Sequence, residues 1–174
     1  HRTGHPELFV SVNISPVQLE RDDLHDVVHE SLERAGVEAR HLILELTETT
    51  IMRDAEDAIR RMKMLVEHNP GLRIAIDDFG TGYSSLSYLT RFPVDSLKID
   101  KGFVINMDEE HNSKIINSIV SLGKSLGMTV IAEGVEQGRQ LEYLRGKACT
   151  RYQGYYFSMP LPFSRLAEYV REHG

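Results

Sequence analysis

The sequence predicts an α/β fold: a (β/α)8 TIM-like barrel, truncated on its N-terminal side, with about six βα units in 174 residues. Three observations predict it. Short apolar, β-branched runs alternate with stretches of helical spacing, a pattern that requires parallel strands joined by crossover helices. Polar side chains capable of chemistry mark those runs: Asn13, Glu45, Asp77 with Asp78, and Glu133 at C-terminal ends, Lys98 within the last part of its run, and Gln153 just before the sixth. No G-x-G-x-x-G turn follows the first run, which weakens the competing open, dinucleotide-binding sheet. In an open sheet, six strand tips spaced ~4.8 Å apart would spread over roughly 24 Å, too far for one site. A barrel converges them on its C-terminal mouth. A closed barrel uses eight strands and about 250 residues, so about two strands are expected to be missing before the first run. With no initiator methionine, the chain reads as a piece of something longer.

The strands are expected at Leu8 to Ile14, Leu42 to Leu46, Leu72 to Ile76, Ser96 to Ile99, Thr129 to Ala132 and, more weakly, Tyr155 to Phe157. Helices are expected between them. Asp54 to His68 places Ala58, Ile59, Met62, Leu65 and Val66 on one face, and Asn112 to Gly127 does the same with Ile115, Ile116, Ile119, Leu122 and Leu126. Asp23 to Ala35, Gln137 to Arg145 and Ser164 to Glu172 are shorter versions, and a turn or short helix begins near Ser84. Gly36 and Gly127 stand where helix C-caps belong.

Composition narrows the function. With 20 basic and 26 acidic residues the net charge is −6, which argues against coating a DNA or RNA polymer through phosphate contacts. The single cysteine, Cys149, excludes an internal disulfide and a CxxC zinc site, and suits a reducing compartment. No run approaches the ~20 apolar residues of a membrane span, and no secretory leader is visible. The expected location is cytoplasmic, free or as the cytoplasmic part of a membrane-bound sensor.

The chemistry concentrates on the strand ends. Asp77 and Asp78 leave an apolar strand together and enter a glycine-bearing loop. Paired carboxylates there suit two metal ions ~3.5–4 Å apart; the plainer reading of Asp78 is a helix cap or turn. Asn13 supplies a neutral oxygen ligand or caps a turn. Glu45, flanked by leucines, needs a metal or a buried ion-pair partner, because a lone buried charge is costly. Glu48 reads as a loop organiser. Lys98 would stabilise developing charge or orient the attacking water, or else pair with Asp100 or another neighbour. Glu133 would orient water or complete a second metal's shell, or sit as a helix N-terminal carboxylate. Gln153 offers an amide to a base edge or phosphate oxygen, or is a turn residue, and Asp100 joins it as a substrate-binding candidate. His25 and His29, i and i+4 on a helix, read as a solvated face.

The segments SVNIS, LELTE, AIDDFGTGYSSL, LKID, AEGVE and YQGYYFS, in order and across essentially the whole chain, closely resemble the EAL domain. AIDDFGTGYSSL is the most specific of them. The resemblance implies a barrel-like fold whose first strand runs antiparallel, and hydrolysis of the bacterial second messenger cyclic di-GMP to linear pGpG with two Mg²⁺ or Mn²⁺ ions. It implies that Asn13, Glu45 and Asp77 are metal ligands, Asp77 bridging, and that Asp78 ligates the second ion. It implies that Lys98 and Glu133 hold the hydrolytic water, that Gln153 is an active-site glutamine, and that Glu48 anchors the loop from Phe79 to Ser85. It further implies a homodimer and, in the parent protein, linkage to a sensory or GGDEF-type domain. One departure is large: the Glu-Ala-Leu run that names the family, about two strands before Asn13 in its members, occurs nowhere here. Residues 1–174 are therefore expected to be the C-terminal two thirds or so of such a domain, inactive alone. The alternatives are a barrel that senses cyclic di-GMP without cutting it, and a partner-docking module.

Overall fold

The computed structural model describes residues 8–82 and 86–173. Six strands form one sheet in sequential order: β1 (Val10–Asn13), β2 (Leu42–Thr47), β3 (Arg73–Phe79), β4 (Ser96–Ile99), β5 (Thr129–Ala132) and β6 (Arg151–Tyr152). Every adjacent pair is parallel. An order that never reverses has no topological switch point. With right-handed crossovers, all connecting helices lie on one side and the sheet curls away from them into a half-barrel. The connections are α1 (Pro16–Leu19), α2 (Leu24–Ala35), α3 (Glu48–Met52), α4 (Ala55–His68), α5 (Leu86–Leu89), α6 (Lys101–Ile105), α7 (Glu110–Leu126) and α8 (Gly138–Gly146), with α9 (Phe163–His173) after the last strand.

The register divides the sheet by parity. Leu44, Leu46, Ile74, Ile76, Leu97, Ile99, Val130 and Ala132 share the helix-covered face and are buried. Against them pack Ala58, Ile59, Met62 and Leu65 of α4, Ile116 and Ile119 of α7, and Leu141 and Leu144 of α8. These are the helical apolar faces legible in the sequence. The opposite, concave parity carries Asn13, Glu45, Asp77 and Lys98. The polar residues of the strands therefore share one face. Gly36 (φ 64°) and Gly127 (φ 70°) close α2 and α7 in the left-handed conformation expected of such caps.

Two expectations need correction. The sixth strand is Arg151–Tyr152; Tyr155 to Phe157 instead form a turn, with the Phe157 N–H donating to the Gly154 carbonyl at 3.1 Å and the Tyr156 N–H to that of Val135 at 3.0 Å. The aromatic run carries β propensity, yet the sheet pairing occurs two residues before the glycine, where only Tyr152 is apolar. Gln153 consequently follows its strand rather than preceding it. His25 and His29 do not share one solvated environment: His29 is exposed, whereas the His25 ring packs 4.3 Å from that of His68. The short helix expected near Ser84 begins at Leu86, residues 83–85 lying outside those described.

Candidate active site

At the end of β3 the ladder slips. Ile76 pairs with Leu97 and Phe79 with Ile99, so one extra residue is accommodated on β3. Asp78 absorbs it at φ 52°, a left-handed conformation that aspartate tolerates better than most residues. Consecutive side chains on a regular strand point to opposite faces. The bulge cancels that alternation, so that Asp77 and Asp78 offer carboxylate oxygens within 4.8 Å of each other and of Glu133.

Lys98 stands at the centre. Its Nζ donates to Glu45 Oε2 at 2.7 Å and lies 2.7 Å from Glu133 Oε1 and 3.1 Å from Asp77 Oδ1, with the residue only 3% exposed. Two strands, and the residue directly after β5, thus aim carboxylates at an ammonium on β4. Burial alone would lower the Lys98 pKa, but hydrogen bonds to Glu133 and Glu45 and the charges of Glu133 and Asp77 outweigh it and hold the ammonium above the usual lysine value. Burial raises the Glu133 carboxyl despite Lys98. Asp78 is raised first by burial, then by the adjacent Asp77 charge and a hydrogen bond with Asp100. Asp100 in turn caps α6, accepting from the Gly102 N–H at 2.8 Å.

Glu48, 1% exposed, opens α3, and its Oε2 accepts from the Gly80 N–H at 2.8 Å and the Gly82 N–H at 3.2 Å. One buried carboxylate therefore ties the turn after β3 to the end of β2. Asn13 is the register partner of Glu45, and the two line one cavity of about 510 Å³. Gln153 lies beside the Glu133 loop: its N–H donates to the Ala132 carbonyl at 2.8 Å and its carbonyl accepts from Val135 N–H at 3.1 Å. Gly154 permits that approach, since a Cβ there would fall 2.2 Å from the Val135 carbonyl oxygen. Every sequence-named site residue is therefore at the C-terminal end of the sheet. Glu45, Asp77, Lys98 and Glu133 are in direct contact, and Asp78 and Asp100 adjoin them.

The sequence reading passed over the short helices that frame the mouth. Ser15 and Gln18 make a reciprocal capping box on α1, and Thr47 caps α3 by accepting from the Thr50 N–H. Both signals were visible, Ser-x-x-Gln before an apolar residue and a threonine directly after a strand. Arg53, which lines the Asn13–Glu45 cavity, carried no motif.

The donor set suits hard divalent cations. Glu45, Asp77, Asp78 and Glu133 bring four carboxylates around one ammonium. That surplus of negative charge, all oxygen donors with an amide oxygen at Asn13, favours Mg²⁺, Mn²⁺ or Ca²⁺ over soft metals. It would repel a phosphodiester until cations neutralise it.

Known proteins carry the same frame. The chain is 41% identical over 174 residues to the cyclic di-GMP phosphodiesterase NbdA of Pseudomonas aeruginosa, covering 99% of this chain and 22% of that protein. It is 42% identical over 164 residues to the bifunctional diguanylate cyclase/cyclic di-GMP phosphodiesterase MucR of the same organism, covering 94% and 24%. The chain thus spans about a quarter or less of the curated relatives it matches. The PaMucR phosphodiesterase structure, a c-di-GMP complex, superposes with a TM-score of 0.91 at 41% identity over 95% of this chain and 66% of that one. Klebsiella pneumoniae BlrP1, solved as a manganese and c-di-GMP complex, gives a TM-score of 0.79 at 33% identity over 87% of this chain and 39% of that one. A calcium and c-di-GMP complex of the same protein gives 0.80 at 32% over 91% and 41%. The EAL domain family model matches residues 1–160, from before the first strand to past the Gln153 loop, and with the half-barrel and its strand-tip carboxylates this places the chain in the EAL domain family.

Proposed function

We propose that this chain supplies the catalytic face of a phosphodiesterase that hydrolyses cyclic di-GMP to linear pGpG. The observation that carries the reading is the Lys98 ammonium held by Glu45, Asp77 and Glu133, with Asp78 beside them, on the concave end of the sheet. Asn13, Glu45, Asp77 and Asp78 would hold two Mg²⁺ or Mn²⁺ ions, Asp77 between them, and bound ions of this kind supply a nucleophilic hydroxide and neutralise phosphoryl oxygens. Lys98, whose three N–H donors face Glu45, Asp77 and Glu133, supplies fixed positive charge beside the reacting phosphoryl group and holds those carboxylates in place, Glu133 included. Glu133, biased toward protonation by burial, is suited to accept a proton from the attacking water. The water oxygen forms the new bond to phosphorus, and the ribose 3′ oxygen leaves with a proton. Gln153 and Asp100 serve the substrate end. Glu48 fixes the turn that follows the paired aspartates.

The reading takes residues 1–174 as the C-terminal two thirds or so of the domain, a share supported by the 66% of the MucR structure that the chain matches. MucR's name as a bifunctional cyclase and phosphodiesterase supports linkage to a GGDEF-type or sensory domain. A homodimer and a cytoplasmic site of action complete the proposal. Among the described residues no helix is long and apolar enough to cross a membrane.

The test is Asp77→Asn in the complete domain, read as pGpG formed with Mg²⁺ or Mn²⁺. A carboxylate shared by both ions is expected to cost at least ~10³-fold in turnover. Near-normal turnover would remove Asp77 from the mechanism, and tight binding with no turnover in the unmodified domain would make it a sensor.

A further inference from the structure

We infer that Arg53 is the contact for the second, uncleaved phosphodiester of the cyclic dinucleotide, an inference that rests on the substrate reading above. The substrate carries two phosphodiester anions, and only one can occupy the carboxylate-rich centre at a time. The other needs a cation or water. The cavity of about 510 Å³ that begins at Asn13 and Glu45 runs past Thr47 and Thr49 to Arg53, the one cationic side chain among the described residues that line it. A cavity of that size lies within the range of small-molecule sites. Arg53 and Thr49 also border a second cavity of about 650 Å³, lined in addition by Met52, Gly82 and Tyr88, so Arg53 is common to both spaces.

The backbone beneath Arg53 is firmly held while its side chain is not. Arg53 is the C-cap of α3, whose Glu48 and Ile51 are buried to 1% and 0% exposure and whose first turn is capped by Thr47. The Arg53 side chain is 64% exposed, and its one ionic partner among the described residues is a distant carboxylate, Glu20 Oε1 of the α1 C-cap, at 3.8 Å, which is equally exposed. Such a pair is weak and easily exchanged. A planar guanidinium fork gains more from a phosphate, which accepts two parallel hydrogen bonds. Glu20 then acts as a placeholder that the substrate anion displaces.

Calorimetric titration of the chain with two ligands in millimolar Ca²⁺ tests this. One ligand is cyclic di-GMP. The other is GpG, which keeps both guanines but has a single phosphodiester. Arg53→Ala is expected to weaken cyclic di-GMP by about 10-fold and GpG by less than about 2-fold, as a charged phosphate contact requires. Arg53→Lys should recover part of the loss, and Glu20→Ala should leave cyclic di-GMP binding equal or tighter. Equal weakening of both ligands by Arg53→Ala, or a Glu20→Ala loss matching it, would overturn the inference by showing a base contact or a purely structural ion pair. Unchanged cyclic di-GMP binding in Arg53→Ala would overturn it while leaving the site reading intact. An unmodified chain that binds neither ligand would overturn the inference, while the substrate reading stands or falls separately on pGpG formation by the complete domain.

Discussion

Replacing Lys98 by methionine is the sharpest perturbation of the site. The side chains have similar length, so packing is nearly conserved, and the change removes one positive charge from among Glu45, Asp77 and Glu133 at 2.7, 3.1 and 2.7 Å. Lys98 is 3% and Glu45 8% exposed, so water cannot fully replace the ammonium. Removing one partner of a buried ion pair costs about 3–5 kcal/mol. For a domain of this size each kcal/mol moves Tm by about 2–4 °C, so the expected fall is about 6–20 °C in EDTA. The deficit has a chemical signature beyond its size. It should shrink on adding Mn²⁺, which restores positive charge among the same oxygens. It should also shrink as pH falls toward the ordinary carboxylate range, because Glu133 and Asp78, already biased toward the acid form by burial, take up protons first. Lys98→Met with Glu45→Gln should be less destabilised than the sum of the single changes. Circular dichroism melting of the four proteins, with EDTA or Mn²⁺, makes the measurement. A fall under about 2 °C, or one that ignores both metal and pH, would refute the view that an unneutralised carboxylate cluster surrounds Lys98.

Glu48→Ala should lower Mn²⁺ affinity by about 10–100-fold, because the turn after Asp78 loses its anchor while the ligands themselves stay in place; an unchanged isotherm with an intact circular dichroism spectrum would show that the turn holds itself. Metal affinity should weaken from pH 7.5 to pH 5 and binding should release protons, since Glu133 and Asp78 have raised pKa values and their charged forms, which bind the ion, are lost earlier than in an ordinary carboxylate as pH falls. Identical isotherms at the two pH values, with no proton release, would place the ion elsewhere.

What the sequence made legible was periodicity and placement. The apolar faces of α4 and α7 and the buried runs of β2 to β5 follow from local patterning, because each element buries one continuous face. Asn13, Glu45, Asp77, Lys98 and Glu133 stood out together: each alone could cap a turn or pair with a neighbour, but their recurrence at the ends of successive apolar runs points to one shared site. What stayed hidden depends on contacts between distant segments. The two-residue β6 has too little pattern to outweigh the aromatic run after it. The bulge that turns Asp78 to the side of Asp77 is a property of the β3–β4 register. Lys98 could equally have paired locally with Asp100; its place among three carboxylates depends on the curl of the sheet. Arg53 belongs to no motif, and only the cavity it borders draws attention to it.

The central claim is that the strand-tip residues of this chain are the working half of a cyclic di-GMP phosphodiesterase. The most direct measurement joins the chain to the segment of the MucR phosphodiesterase that its 66% match leaves uncovered, and follows cyclic di-GMP by chromatography in Mn²⁺ beside the 174-residue chain alone. The account predicts pGpG from the joined protein, none from the joined protein carrying Asp77→Asn, and none from the chain alone, which contains no Glu-Ala-Leu ligand. A folded, joined protein that binds Mn²⁺ and cyclic di-GMP yet forms no pGpG would contradict the claim, as would turnover that survives Asp77→Asn.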